Sequence, residues 1–135
     1  MILGLGTDLV AIKAMSTQLD DEASAFQSAT FTAAEVGYSQ GASSRAPQQH
    51  LAARFAAKEA TIKALDTACR MAQLAWPRLS LRDIEVIVDE QGRPSLKLYG
   101  SAAALASALG ADRTWLSLSH DGDYASAVVA LERLS

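Results

Sequence analysis

Half of the 135 residues are hydrophobic and a fifth are charged, the balance of an ordinary soluble globular chain of one domain, residues 1–135. A formal net charge of −3 excludes a general affinity for nucleic acid or anionic membrane and leaves only a local basic patch for docking. The single cysteine, Cys69, excludes an internal disulfide, and no apolar run approaches the roughly 20 residues of a membrane span.

The opening MILGLGTDLV carries no basic leader and is broken by Asp8, so no signal peptide is expected and a cytoplasmic location is. Ile2 to Gly6 reads as a short buried strand, with Gly4 and Gly6 leaving room for a close approach by another backbone or a ligand. Asp8 then stands at the strand end, before the helix-compatible LVAIKAM. On these residues alone it is an N-cap first and a metal ligand second. Ser16 to Ser28 is polar, with the acidic cluster Asp20-Asp21-Glu22, and reads as a solvated face or loop. Thr32-Ala-Ala-Glu35 matches a capping box and predicts a short helix through about Gln40. Gly41 to Pro47 is a loop signal.

The stretch LAARFAAKEATIKAL, Leu51 to Leu65, lacks glycine and proline and predicts a long central helix reaching Met71 or Ala72. Leu51, Phe55, Ile62, Leu65 and Cys69 fall on one stripe, and Ala53, Ala56, Ala57, Ala60 and Ala64 form a second, small-residue face. Lys58 lies within the large-residue stripe and Glu59 on its border, where charge is costly unless paired or bound to an ion. On this helix alone the structural reading comes first: the Lys58 stem lies on the core with its ammonium in water, and Glu59 pairs with Lys63.

Ile84 to Asp89 and Ser95 to Tyr99 alternate as strands of a hairpin. Ser101 to Leu109 is a helix stopped by Gly110. Thr114 to His120 and Tyr124 to Leu131 are two more strands joined through Asp121-Gly122-Asp123, with Leu116, Leu118 and His120 on one face of the first and Trp115, Ser117 and Ser119 on the other. The sum is an α+β domain: a small antiparallel sheet packed on a long central helix.

Three pieces stand out: Gly4-Leu5-Gly6-Thr7-Asp8, Arg54-Phe-Ala-Ala-Lys58-Glu59-Ala60, and Ser117-Leu-Ser-His120. With FTAAE, DEQGRP and the closing SHDGDYASAVVALE they resemble, over nearly the whole chain, the holo-acyl-carrier-protein synthase type of 4'-phosphopantetheinyl transferase. The resemblance implies transfer of the phosphopantetheine arm of coenzyme A to a serine of an apo acyl carrier protein, with Mg²⁺ required and 3',5'-ADP released. It implies Asp8 and Glu59 as metal ligands, since carboxylates beside a diphosphate make sense only with a hard cation between them. Lys63 would lie near the transferred phosphate. Arg54 and His120 would serve the nucleotide and its 3'-phosphate, and Gly92-Arg93-Pro94 the adenine. Ser117 is a strand hydroxyl available for structural or ligand hydrogen bonds. Lys58 is counted with the coenzyme-A-binding residues, and either orients Glu59 or pairs with it. The proton acceptor is Glu59 first and Asp8 next.

The family resemblance further implies a homotrimer with active sites between protomers, and a carrier from fatty-acid or polyketide biosynthesis. The chain departs from the family where Ala11 and Ala14 replace the usual acidic residue and arginine, leaving Lys13, with Arg45 as a substitute from the loop, to meet the carrier.

Overall fold

Strand β1 (Ile2–Ala11) and helix α4 (Pro47–Ala72) form the spine of the molecule, with β1 lying directly along α4. The contact is so close because both surfaces are nearly bare. A methyl group added to Gly4 would run into the Ala64 carbonyl oxygen, and one added to Gly6 into that of Ala60. Ala56, Ala57, Ala60 and Ala64 are wholly enclosed. The alanine face expected from the sequence is thus the face that receives the N-terminal strand. The computed structural model describes residues 1–41 and 46–135. Arg45 and most of the expected loop from Gly41 to Pro47 lie outside the described residues.

The remaining elements are α1 (Ile12–Asp20), α2 (Phe26–Thr30), α3 (Ala33–Ser39), β2 (Ile84–Val88), β3 (Pro94–Leu98), α5 (Gly100–Leu109), β4 (Arg113–Asp121) and β5 (Tyr124–Glu132). They build an α+β fold with a three-stranded antiparallel sheet, ordered β1-β5-β4, and a separate β2–β3 hairpin. One face of the larger sheet packs on α4 through Val10, Ala125, Ala127, Val129 and Leu131, all buried. The capping box at Thr32 forms in both directions: Thr32 Oγ1 accepts from the Glu35 amide at 3.3 Å and Glu35 Oε1 from the Thr32 amide at 3.0 Å. Gly110 closes α5 in the left-handed conformation, as the sequence predicts.

Two expectations are corrected. β1 does not stop at Gly6 but continues to Ala11, because residues Thr7 to Ala11 pair in unbroken register with Tyr124 to Val128 of β5. Asp8 therefore sits inside a strand and caps nothing; the residue preceding α1 is Ala11, which makes no side-chain cap. The segment from Ser16 to Ser28, read as a solvated face or loop, holds the end of α1 and the start of α2. Met15 on α1 is buried, and Phe26 at the start of α2 packs edge-on against Phe31 and Phe55, with ring centroids 6.2 and 5.5 Å away. Apolar anchors spaced three to four residues apart outweigh the polar composition there. The acidic cluster Asp20-Asp21-Glu22 is exposed, as expected.

Candidate active site

Alternation along β1 decides where Asp8 goes. Gly4, Gly6, Asp8 and Val10 share the face turned to α4, so the two glycines that allow the close approach also deliver the carboxylate two residues further on. There it meets residues one turn apart on the helix, Glu59 and Lys63. Asp8 and Glu59 line one cavity of about 360 Å³ with Phe55, the end of β1 from Leu9 to Ala11, and Ala14, Met15 and Gln18 of α1. Ala11 and Ala14 thus border the carboxylates.

Lys63 Nζ donates to Asp8 Oδ1 and to the Thr7 carbonyl, each at 3.0 Å. The expected pair of Glu59 with Lys63 does not form, because the strand brings Lys63 a closer acceptor. Glu59 has no ion pair among the described residues. Its carboxyl is held above the ordinary range first by burial, then by the Asp8 charge, with Lys63 offsetting part of this. Two like charges sharing a cavity form a hard oxygen donor set, and a divalent cation between them would relieve the repulsion. The fit to Mg²⁺ is chemical: two carboxylates leave most of an octahedral shell to water and to phosphate oxygens. No group of three or more metal-ligating side chains occurs among the described residues, so the protein alone would not complete that shell.

A second cluster gathers at the start of α4. Arg54 is buried, its guanidinium carbon 4.5 Å from the centre of the Tyr38 ring, and its Nη1 donates to the His50 carbonyl at 3.3 Å. Its Nε has no hydrogen-bond partner among the described residues. Arg54 lines a separate cavity of about 250 Å³ with Tyr38, Val86 and Val88. The Gln49 amide meets His120 Nδ1. Burial, then the charges of Arg54 and His120, hold the His50 imidazole below its ordinary range. Sequence reasoning named Arg54 and His120 but missed Gln49, His50 and Tyr38. The spacing of His50 and Arg54, four apart on one helix face, was the signal available.

Lys58 is a correction. Its ammonium does not reach water, nor does it touch Glu59. It is fully enclosed, paired with Glu35 at 2.8 Å, and donates to the carbonyls of Leu81, at 2.9 Å, and Ile84. All three of its donors are used, and none is left for a ligand. Gly92, Arg93 and Pro94 occupy the β2–β3 connection, where Arg93 is held by Asp89 at 2.7 Å and Gln91 at 3.3 Å. Ser117 is exposed on the sheet face turned away from α4. Neither the hairpin residues nor Ser117 lines either cavity. Within one chain the structure brings together Asp8, Glu59 and Lys63, places Arg54 and His120 around the first turns of α4, and leaves these others apart.

Comparison with known proteins gives this arrangement a class. Residues 4–129 match the family model described as the 4'-phosphopantetheinyl transferase superfamily. The holo-[acyl-carrier-protein] synthase of Geobacter sulfurreducens is 41% identical over 133 residues, covering 98% of this chain and 99% of that protein. That of Mycobacterium marinum is 43% identical over 131 residues, covering 97% of each. Among solved structures, the ACPS–CoA complex of Chronobacterium ammoniagenes superposes with a TM-score of 0.81 at 37% identity, covering 98% of each chain. A Bacillus anthracis holo-(acyl-carrier-protein) synthase in complex with CoA (3',5'-ADP) superposes with a TM-score of 0.73 at 29% identity, covering 99% of each. The chain belongs to the 4'-phosphopantetheinyl transferase superfamily and, within it, to the holo-[acyl-carrier-protein] synthases.

Proposed function

We propose that the chain transfers the 4'-phosphopantetheine arm of coenzyme A to a serine of an apo acyl carrier protein, in an Mg²⁺-dependent reaction that releases 3',5'-ADP. The observation that carries this reading is the meeting of Asp8 and Glu59 in one cavity beside Lys63. Relatives that share the fold have been solved with CoA.

Asp8 and Glu59 would hold the metal, which supplies charge neutralisation at the diphosphate. Lys63, on a flexible stem and more than half exposed, can turn from Asp8 to the transferred phosphoryl group as charge develops there. The serine Oγ attacks the phosphorus that carries the pantetheine arm. A new O–P bond forms, the bond from that phosphorus to the bridging oxygen breaks, and that oxygen departs with 3',5'-ADP. Glu59, the carboxylate left without an ion pair in this cavity, is the first choice to take the serine proton, with Asp8 next. The Arg54 side chain lines a cavity and its buried Nε is unpartnered among the described residues, which supports binding of an anion such as the 3'-phosphate, with His120 nearby.

The acceptor chemistry belongs to a carrier of fatty-acid or polyketide synthesis. Ala11 and Ala14 at the cavity wall leave Lys13 as the basic residue of α1. A homotrimer with sites between protomers would account for the placement of Gly92-Arg93-Pro94 and Ser117 outside both cavities. It is supported by the outer face of the β1-β5-β4 sheet, where Leu5, Leu9, Trp115, Tyr124 and Val128 are exposed among Thr7, Ser117 and Ser119. A cytoplasmic location accords with this chemistry, and among the described residues no helix is long and apolar enough to cross a membrane.

The test is to incubate the protein with coenzyme A and apo carrier protein, with Mg²⁺ or with a chelator, and weigh the carrier. A gain of one phosphopantetheine only with Mg²⁺ is expected. Coenzyme A binding without transfer to any of several carriers would reduce the protein to a binding module.

A further inference from the structure

Lys58 and Glu35 are wholly buried, far apart in sequence, and part of a network that the transfer chemistry leaves unexplained. Glu35 also accepts from the Thr32 amide and, through Oε2 at 3.0 Å, from the Val86 amide. Glu85 continues the network, accepting from Thr32 Oγ1 at 2.5 Å and Tyr99 Oη at 2.9 Å. Together these bonds fasten α3 and the β2–β3 hairpin to α4. Replacing a buried ion pair by apolar side chains of similar volume is often neutral or stabilising, so stability alone does not account for it. Directional bonds to several elements supply what an apolar plug does not: a single register.

That register has a beneficiary. Glu35 and Tyr38 are three apart on α3, and Lys58 and Arg54 are four apart on α4, so each pair shares a helix face. The two faces meet in two rungs, Glu35 with Lys58 at 2.8 Å and Tyr38 beneath Arg54 at 4.5 Å. The Glu35 charge also favours the protonated state of both Arg54 and Lys58 against their burial. We propose that Glu35 and Lys58 are positioning residues, a buried bridge that sets α3 so that Tyr38 aims the Arg54 guanidinium at the 3'-phosphate of coenzyme A. This rests on the coenzyme A reading given above and adds to it the group that fixes Arg54.

The paired variant Glu35→Gln with Lys58→Met removes the bridge without stranding one buried charge, and the substituted side chain keeps an acceptor oxygen for a backbone amide. Calorimetric titration with coenzyme A and with dephospho-coenzyme A, which lacks only the 3'-phosphate, separates the roles. Wild type binds coenzyme A more tightly. The variant is expected to lose about tenfold in coenzyme A affinity and no more than about twofold for the dephospho form, with kcat at saturating coenzyme A nearly unchanged. A merely structural bridge lowers the melting temperature and leaves the ratio of the two affinities as in wild type, which would overturn the proposal. Tyr38→Leu, at a half-exposed position, breaks the second rung and decides the matter in the same way should the paired variant not fold. Wild type that fails to bind either ligand would instead overturn the coenzyme A reading and this inference with it. Wild type that binds both equally would overturn the inference alone.

Discussion

Lys63 has two carboxylates within its range and pairs with Asp8, which leaves Glu59 facing a like charge in a partly buried cavity. The pH consequence follows from the direction of the shift. The native state favours the protonated form of Glu59 more than the unfolded chain does. That contribution to stability is complete below the ordinary glutamate value of about 4.3 and is lost as pH rises through the raised value. Glu59→Gln is therefore expected to melt higher than wild type at neutral pH, with the difference closing as the pH falls below the carboxylate range. Turnover should be abolished in Glu59→Gln and in Asp8→Asn with the fold intact, which circular dichroism and the carrier assay together would check. Retained activity in either would mean that other groups hold the metal. Mg²⁺ should add to the rise in melting temperature that coenzyme A gives wild type at neutral pH but not to that of Glu59→Gln, since a ligand stabilises only the state it binds.

At the scale of elements, the approach of β1 to α4 depends on two missing side chains. Gly6→Ala puts a methyl against the Ala60 carbonyl, which helix backbone cannot yield cheaply, and should cost on the order of 3 kcal/mol in urea denaturation. Whatever remains folded should transfer poorly, because the strand that moves carries Asp8. Thr32→Ala removes a capping oxygen and a donor to Glu85, and is expected to cost about 1–2 kcal/mol by the same measurement. These elements also show where the sequence is readable. α4, the Thr32 capping box, the Gly110 stop and both hairpins carry local signals, and the structure has each close to where those signals put it. The length of β1 depends on pairing with residues more than a hundred positions away, and no local pattern contains it. The site residues that lie on readable motifs were named, but their partners were not. Nothing within the capping box says that Glu35 also serves Lys58, and nothing on α4 says that Lys63 turns to the strand instead of to Glu59.

The whole molecule presents one covered and one bare sheet face. Leu5, Trp115 and Val128 on the bare side form an apolar surface of the kind subunit interfaces bury. Sedimentation should therefore give a mass above that of the 14.2 kDa chain, and Trp115→Glu should release monomers that have lost activity although the Asp8–Glu59 cavity is untouched. A monomeric, fully active wild type would remove the case for shared sites. Beneath all of this lies one arrangement, a divalent ion held between the strand and the helix at the diphosphate of its donor. Crystals grown with coenzyme A and Mn²⁺ in place of Mg²⁺ test it most directly through the anomalous signal of the metal. The account predicts a peak at coordination distance, about 2.1 Å, from carboxylate oxygens of both Asp8 and Glu59 and from a diphosphate oxygen. A peak bound by neither carboxylate, with coenzyme A in place, would contradict it.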